Sequence, residues 1–415
     1  MSTKQTHSPA AAQVLGDAPL YWMALGTFAI GTEGFMIAAI LPSIASGLAV
    51  SLQAVGALIV IFTLAYAISS PVLTALTGSF NRRTLLISSM AAFAAANLLA
   101  AASTGYWHLA AARVLLALAA GLYTPNASAL AGAMAAPERR GRALAIVNGG
   151  LSLAVALGVP LGAFVGLRFG WRMTFVGVAV LALAAVAGLL TGIPKGMGSG
   201  LASTTLRKRL EVLRQPSAVL ALLVTTLWAL GGYTVYTYIS PFLGQVIGFT
   251  GSKVGYILFL WGAAAFLGLM FGGRASDKLG SQRVIATVLP AMALALASLS
   301  FVAYHLAPSA AVLPVLAAVF LWGSMAWSFF PSQQARLIGV AGAAGAPVIL
   351  SLNASFMYLG FSLGAALGSL VISRGSVADL GWVGALCVSA GFALFLATTR
   401  AAKSEISQKI ILGRA

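Results

Sequence analysis

Two residues of this sequence carry acid–base chemistry where water should be scarce. Glu33 sits in Gly31-Thr32-Glu33-Gly34-Phe35-Met36, inside an apolar run from about Leu20 to Leu41. Arg113 sits in another apolar run. Burial disfavours an ionised carboxyl, whereas a neighbouring arginine favours it. A glutamate between those influences can take up and release a proton as its access to water changes. The chain has only seven acidic residues. The other six are Asp17, Glu138, Glu211, Asp277 and Glu405, which fall between or beyond the apolar runs, and Asp379, at the outer end of one.

The elements that hold Glu33 and Arg113 follow from composition. The chain has 415 residues, 60% hydrophobic and 7% charged. A soluble domain carries roughly 25% charged residues, so lipid is the expected solvent. A spanning helix needs about 20 apolar residues, and only helices or closed barrels satisfy their backbone in lipid. Long continuous runs select helices over a barrel. Twelve runs are expected near 20–42, 53–77, 84–103, 107–134, 142–167, 172–193, 217–243, 253–272, 284–306, 311–332, 347–371 and 379–400. They form a six-helix bundle over 20–193 and a second over 217–400. Residues 1–19 form a polar tail without a signal-peptide pattern, 194–216 a central loop that turns basic, and 401–415 a second tail.

The sidedness follows from the basic residues. With the N-terminus placed inside, 19 of the 24 Lys and Arg residues fall in inside segments and 4 in outside ones, Arg113 being the remainder. Both termini are therefore expected in the cytoplasm. The +17 formal charge faces anionic headgroups, with no need for nucleic acid. On that topology Glu33 lies roughly 14 Å below an outer helix end near Pro42, and Arg113 roughly 9 Å below one near Trp107, at 1.5 Å per residue. Their depths approximately match. An ionised side chain at such depth costs on the order of 3 kcal/mol, so the two are expected to pair or to share an aqueous cavity.

Other chemistry is not indicated. There is no G-x-x-x-x-G-K-[ST] phosphate loop. His7, His108 and His305 lack metal spacing, and Cys387 has no disulfide partner. No catalytic constellation, metal or cofactor is expected, and the energy source would be a proton gradient.

A weak internal repeat links the halves. Gly273-Arg274-Ala275-Ser276-Asp277-Lys278-Leu279-Gly280-Ser281-Gln282-Arg283 follows the eighth run, and Gly78-Ser79-Phe80-Asn81-Arg82-Arg83 follows the second. The former resembles the loop signature G-x-x-x-D-[RK]-x-G-x-[RK]-[RK] of the major facilitator superfamily. In it Asp277 would pair with a cation or cap the next helix, and Gly280 would permit the turn. The first copy has Gly78 in place of the acid and Asn81 in place of the turn glycine. The charge clasp is therefore expected mainly in the second half, with Arg82, Arg83, Gly273, Asp277, Gly280 and Arg283 as gating residues. Gly158-Val159-Pro160-Leu161-Gly162 resembles part of the helix-five motif of antiporters, and is expected to kink and pack closely. Pro137-Glu138-Arg139-Arg140-Gly141-Arg142 resembles a loop of the drug:proton antiporter group, particularly its bacterial sugar and nucleoside efflux members.

The resemblance implies an all-α integral membrane fold of two pseudo-symmetric six-helix bundles, a monomer in a bacterial inner membrane. It implies proton-driven export of a small organic compound by alternating access. A narrow sugar or nucleoside exporter and a proton-symport importer are the alternatives. It also implies that helices 1, 4, 7 and 10 line the cavity. On them lie Tyr123, Asn126, Trp228, Tyr233, Tyr236, Trp322 and Gln333, with Asn353 on helix 11 as a further contributor. Glu33 and Arg113 are the expected proton-coupling pair. Trp107, Trp171 and Trp382 suit an interfacial belt.

Overall fold

The computed structural model describes residues 17–135, 139–195 and 211–412. Glu138, most of the central loop and most of the N-terminal tail lie outside the described residues. Twelve helices in the described chain have the length and apolarity to cross a membrane. They are α1 (Ala18–Leu48), α2 (Leu52–Leu76), α3 (Arg82–Ala101), α4 (Tyr106–Met134), α5 (Arg140–Phe169) and α6 (Trp171–Gly192) in the first half. The second half has α7 (Pro216–Tyr236), α8 (Ser252–Leu279), α9 (Ser281–His305), α10 (Pro308–Gly342), α11 (Gly345–Arg374) and α12 (Val377–Arg400). An even number of crossings puts Ala18 and Arg400 on one side of the bilayer, called here the terminus side.

Several helices outrun the expected bounds. Proline inside an apolar helix is tolerated when neighbouring helices support the freed carbonyl. α1 accordingly continues through Pro42 and stops at Ala49, whose left-handed backbone closes the end. Glu33 is therefore fifteen residues from the end of α1, roughly 22 Å, not the shorter distance reckoned from Pro42. α8 continues past Gly273 and Asp277 to Gly280, which takes φ +85° as the turn requires. α10 and α11 are nearly continuous and part at Gly342, φ +69°.

α7 ends at Tyr236, and a short helix Ile239–Ile247 follows. Pro241 explains the break. It has no N–H, and its ring crowds the carbonyl of Thr237 four residues back.

Glycines four residues apart set the packing in each half. On α5, side chains added at Gly158, Gly162 and Gly166 would run into Thr32, Met36 and Ile40 of α1, themselves four apart. On α11, side chains at Gly360, Gly364 and Gly368 would meet the Thr226, Leu230 and Thr234 carbonyls of α7. Small residues let helix backbones approach in lipid, where no hydrophobic force drives them together.

Between Ala154 and Gly158, α5 makes a π-turn, in which Val159 donates to the Ala154 carbonyl five residues back. Pro160 gives the reason, since it returns no N–H to the preceding turn. Gly262 of α8 packs against the Val155 carbonyl at that turn. The expected kink of helix five is thus an inserted residue clamped by α1 on one side and α8 on the other.

The three tryptophans expected in an interfacial belt divide by exposure. Trp107 and Trp382 are exposed to the surroundings. Trp171 is instead buried against Gly47 at the end of α1, with Arg172 stacked 4.3 Å from its ring. Cys387 is half-buried.

Candidate functional site

Glu33 and Arg113 meet. Arg113 Nη1 of α4 donates to Glu33 Oε1 of α1, and both side chains are fully buried. Arg113 Nε donates to the Leu58 carbonyl of α2 at 3.3 Å, and its guanidinium lies 4.2 Å from the Phe62 ring centre. Three helices of the first half thus fix one cation. Glu33 Oε2 and Arg113 Nη2 are buried without hydrogen-bond partners. A buried ion pair repays its desolvation only when its remaining donors and acceptors are also satisfied. This pair keeps one of each in reserve.

Beside the pair lies an aromatic cavity. Phe35, two residues beyond Glu33, points across to the second half. Its ring makes edge contacts with Tyr233, Tyr236, Trp327 and Phe361 at centroid distances of 5.9–6.1 Å. Tyr233 stacks on Phe361 at 3.9 Å and Trp228 on Phe329 at 4.9 Å. Tyr236, Trp261 and Trp322 form a further cluster. Together with Gly232 and Met292 these side chains line about 320 Å³ of empty space. A side chain on Gly232 would point at Met292 and Trp322, so the glycine keeps the space open. Tyr233 and Tyr358 stand within electrostatic reach of Arg113 and Glu33.

The cavity takes four of the eight expected substrate residues: Trp228, Tyr233, Tyr236 and Trp322. The other four have structural partners elsewhere. Tyr123 donates to the Met23 carbonyl at 3.1 Å and fills the space above Gly26, joining α4 to α1. Asn126 accepts from Arg82 Nη1 at 2.6 Å and donates to the Leu122 carbonyl. Gln333 donates to the Ala221 carbonyl at 2.7 Å and to Thr225 Oγ1 at 3.0 Å, and Thr225 donates to Asn353 Oδ1 at 2.7 Å. That relay ties α10, α7 and α11 together inside the second half. Polarity at depth singled out these residues in the sequence. Buried polar groups find partners wherever the backbone offers them, and here those partners are not at the cavity. Sequence reading missed Phe35, Trp261, Met292 and Phe361, which look like ordinary apolar residues until the halves are brought together.

The gating residues also divide differently from expectation. Arg82 is only 3% exposed, on the first turn of α3. Asn81 is not a left-handed turn residue. Its φ is −61°, and its side chain caps α3 by accepting from Arg83 N and Thr84 N. Arg83 donates to the carbonyls of Ile193 (2.6 Å) and Leu190 (2.9 Å), fastening α3 to α6. In the second half Asp277 and Arg283 are exposed, and no ion pair involves Asp277 among the described residues. The fastened copy is therefore the one that lacks the acid. Gly273 has open space around it.

The halves meet along the side opposite the termini and at mid-depth. Tyr236 donates to the Phe35 carbonyl at 3.1 Å, and Ser362 to the Val60 carbonyl at 3.4 Å. Tyr66 of α2 stacks on Tyr358 of α11 at 3.8 Å, and the Tyr238 ring lies over Gly56. α4 packs on α1, α2, α3 and α5 within its own half.

Comparison with known proteins agrees with this architecture. Residues 23–365 match the profile of the Major Facilitator Superfamily. The uncharacterized MFS-type transporter YbcL of Bacillus subtilis is 33% identical over 394 residues, 94% of this chain and 98% of that protein. The chloramphenicol resistance protein of Streptomyces lividans is 33% identical over 85% of this chain and 88% of its own length. The inner membrane transport protein YdhP of Escherichia coli K12 is 34% identical over 86% and 89%. The crystal structure of the human organic anion transporter MFSD10 (TETRAN) superposes with a TM-score of 0.69 over 93% of this chain and all of that one, at 14% identity.

Proposed function

Because the chain belongs to the major facilitator superfamily and is a membrane transporter, we propose that it exports a small amphipathic compound from the bacterial cytoplasm in exchange for protons. The observation that carries this reading is the buried Glu33–Arg113 pair beside the aromatic cavity. Glu33 is the carboxyl at membrane depth, and its second oxygen is unspent. With Glu33 ionised, Oε2 is a free acceptor and Arg113 Nη2 a free donor for the polar end of a solute, and Tyr233 and Tyr358 supply the next hydroxyls. A proton arriving at Glu33 takes up that oxygen and turns it from acceptor to donor. Proton and solute thus compete for one carboxylate, which is the requirement for exchange.

The contacts between halves support a conformation closed away from the termini. With both termini cytoplasmic, as the charge distribution favours, that is an inward-facing carrier ready to load. The cavity lining supports an amphipathic aromatic solute over a sugar or nucleoside. Sugars need several oriented donors and acceptors, whereas Gln333 and Asn353 are engaged elsewhere. The relative named for chloramphenicol resistance makes a neutral phenicol the first compound to try.

The test is export in inverted vesicles or proteoliposomes under an imposed pH gradient, comparing wild type with Glu33→Gln. The expected variant still exchanges solute down its own gradient but no longer responds to the pH gradient. Unchanged proton-driven accumulation in a folded Glu33→Gln protein overturns the coupling role.

A further inference from the structure

The ring of Phe35 stands where a bound ring would stand. Phe35 belongs to α1 in the first half, yet four rings of the second half close around it. They are Tyr233 and Tyr236 of α7, Trp327 of α10 and Phe361 of α11. All four meet it edge-on, at interplanar angles of 60–85°. Such contacts set the positive rim of one ring on the negative face of the next, so they favour an aromatic occupant over an aliphatic one of equal size. The same four residues, with Phe35, are walls of the central cavity. A four-ring cage is thus filled, from across the interface, by a benzene ring tethered to the other half.

Alternating access rocks one half against the other. Every wall of the cage belongs to the second half and its occupant to the first. Opening therefore withdraws Phe35 with α1 and leaves a vacancy the size of one aryl ring. Closing over that vacancy with nothing in it would leave a dry void whose lining has lost its contacts. An exchanger must nevertheless close without solute, on the part of its cycle that carries protons. A ring held ready on the opposite half answers that need.

We propose that this cage is the subsite for an aryl ring of the transported solute, and that Phe35 takes the solute's place when the carrier closes empty. The solute class narrows to compounds with a pendant benzene-sized ring, the size that Phe35 itself shows to fit. The assignment deepens the export reading and rests on the central cavity being its solute site. It does not rest on Glu33. Binding is measured without a pH gradient, so a failed coupling test with Glu33→Gln leaves the cage standing. A cage indifferent to aryl probes, in turn, leaves the coupling role of Glu33 standing.

The test is binding of nitrobenzene to the full-length protein in nanodiscs, followed by saturable quenching of tryptophan emission, with nitrocyclohexane as the aliphatic match. A competitor that holds a site about nine-tenths of the time lowers apparent affinity about tenfold, so Phe35→Ala should tighten nitrobenzene binding by about that factor. Nitrocyclohexane should bind the same variant about fivefold more weakly, the fold-change for one aromatic edge contact. Phe35→Leu fills part of the space and should show a smaller gain with the same aryl preference, which keeps the test usable if the alanine variant does not fold. Adding Phe361→Leu to Phe35→Ala removes a wall and should cancel most of the gain. Phe93→Ala empties a fully buried ring position on α3, outside the cage, and should show no aryl preference. Equal nitrobenzene affinity in the wild type, Phe35→Ala and Phe35→Leu overturns the stand-in role of Phe35. Equal binding of the two probes, or the same aryl preference in Phe93→Ala, overturns the aryl subsite.

Discussion

The two halves bring a cavity-lining helix against its neighbour in the same way and fill their interiors in opposite ways. α1 lies on α5, and α7 on α11, through glycines at every fourth position. Among the described residues the fully buried charged side chains all lie in the first half: Arg113 against Glu33, and Arg82 against the neutral Asn126. In the second half the fully buried polar side chains are neutral, with Gln333, Thr225 and Asn353 in a relay. The cavity aromatics come almost wholly from the second half, with Phe35 as the contribution from the first. The contrast divides labour. One half holds the charge chemistry and the other holds the shape that a solute fills.

Breaking the charged side should cost most. Arg113→Ala leaves Glu33 buried without its cation, and losing one partner of a buried pair costs about 3–5 kcal/mol. A large drop in the thermal midpoint of the detergent-solubilised protein is expected. Adding Glu33→Gln to Arg113→Ala should recover part of it, because the orphaned charge is then gone. Absence of any recovery removes the distinction between the halves.

The glycine seams should come next, and they should differ. An added methyl at Gly364 meets the Leu230 carbonyl and backbone of α7, which must move as a unit. At Gly162 it comes within 2.9 Å of Met36 Cβ, a less severe approach than the 2.5 Å to the Leu230 carbonyl and with no backbone atom among its nearest neighbours. Overpacking typically costs about 1–3 kcal/mol, so Gly364→Ala belongs toward the top of that range and Gly162→Ala toward the bottom. Unfolding midpoints for the two variants, measured side by side, decide whether the seams are equally rigid.

Within the neutral relay, Asn353→Ala removes the acceptor of Thr225 and should cost about 1–2 kcal/mol, less than Arg113→Ala. The smallest effect is expected at Asp277→Asn, which touches no ion pair among the described residues. Its unfolding midpoint should stay within the roughly 0.5 kcal/mol typical of surface changes, while Asn126→Ala, which unseats Arg82, should be clearly destabilised. A marked stability loss for Asp277→Asn reverses the assignment of the fastened loop.

The twelve crossings and the paired charges were legible in the sequence because lipid makes both compulsory. Long apolar runs have few other uses, and an ionised side chain at depth must find a counterpart. Helix ends were less legible. Pro42 reads as a stop in water, yet neighbours carry α1 six residues beyond it. The roles of single polar residues were least legible. Asn126, Gln333 and Asn353 are the right type for binding a solute, but nothing in one chain's order says which carbonyl or guanidinium will stand opposite. Phe35 carries no signal of its own, since its importance arises only where two distant bundles touch. The Gly360, Gly364 and Gly368 spacing was on view and would have marked a close-packing face of α11, while its partner α7 came only from the fold.

The π-turn in α5 has a consequence for insertion and deletion. One residue turns an α-helix by about 100°, but the π-turn takes its extra residue into a wider turn, with Val159 standing over Ala154 where a residue four along would stand in an α-helix. Removing Ala156 would therefore restore regular winding and leave Gly158, Gly162 and Gly166 facing Thr32, Met36 and Ile40. Adding a residue after Gly158, with no wide turn to absorb it, would swing Gly162 and Gly166 off that face. A chain of this architecture that lacks the inserted residue should thus show a one-residue gap between Ala154 and Gly158, with the glycine series in step beyond it.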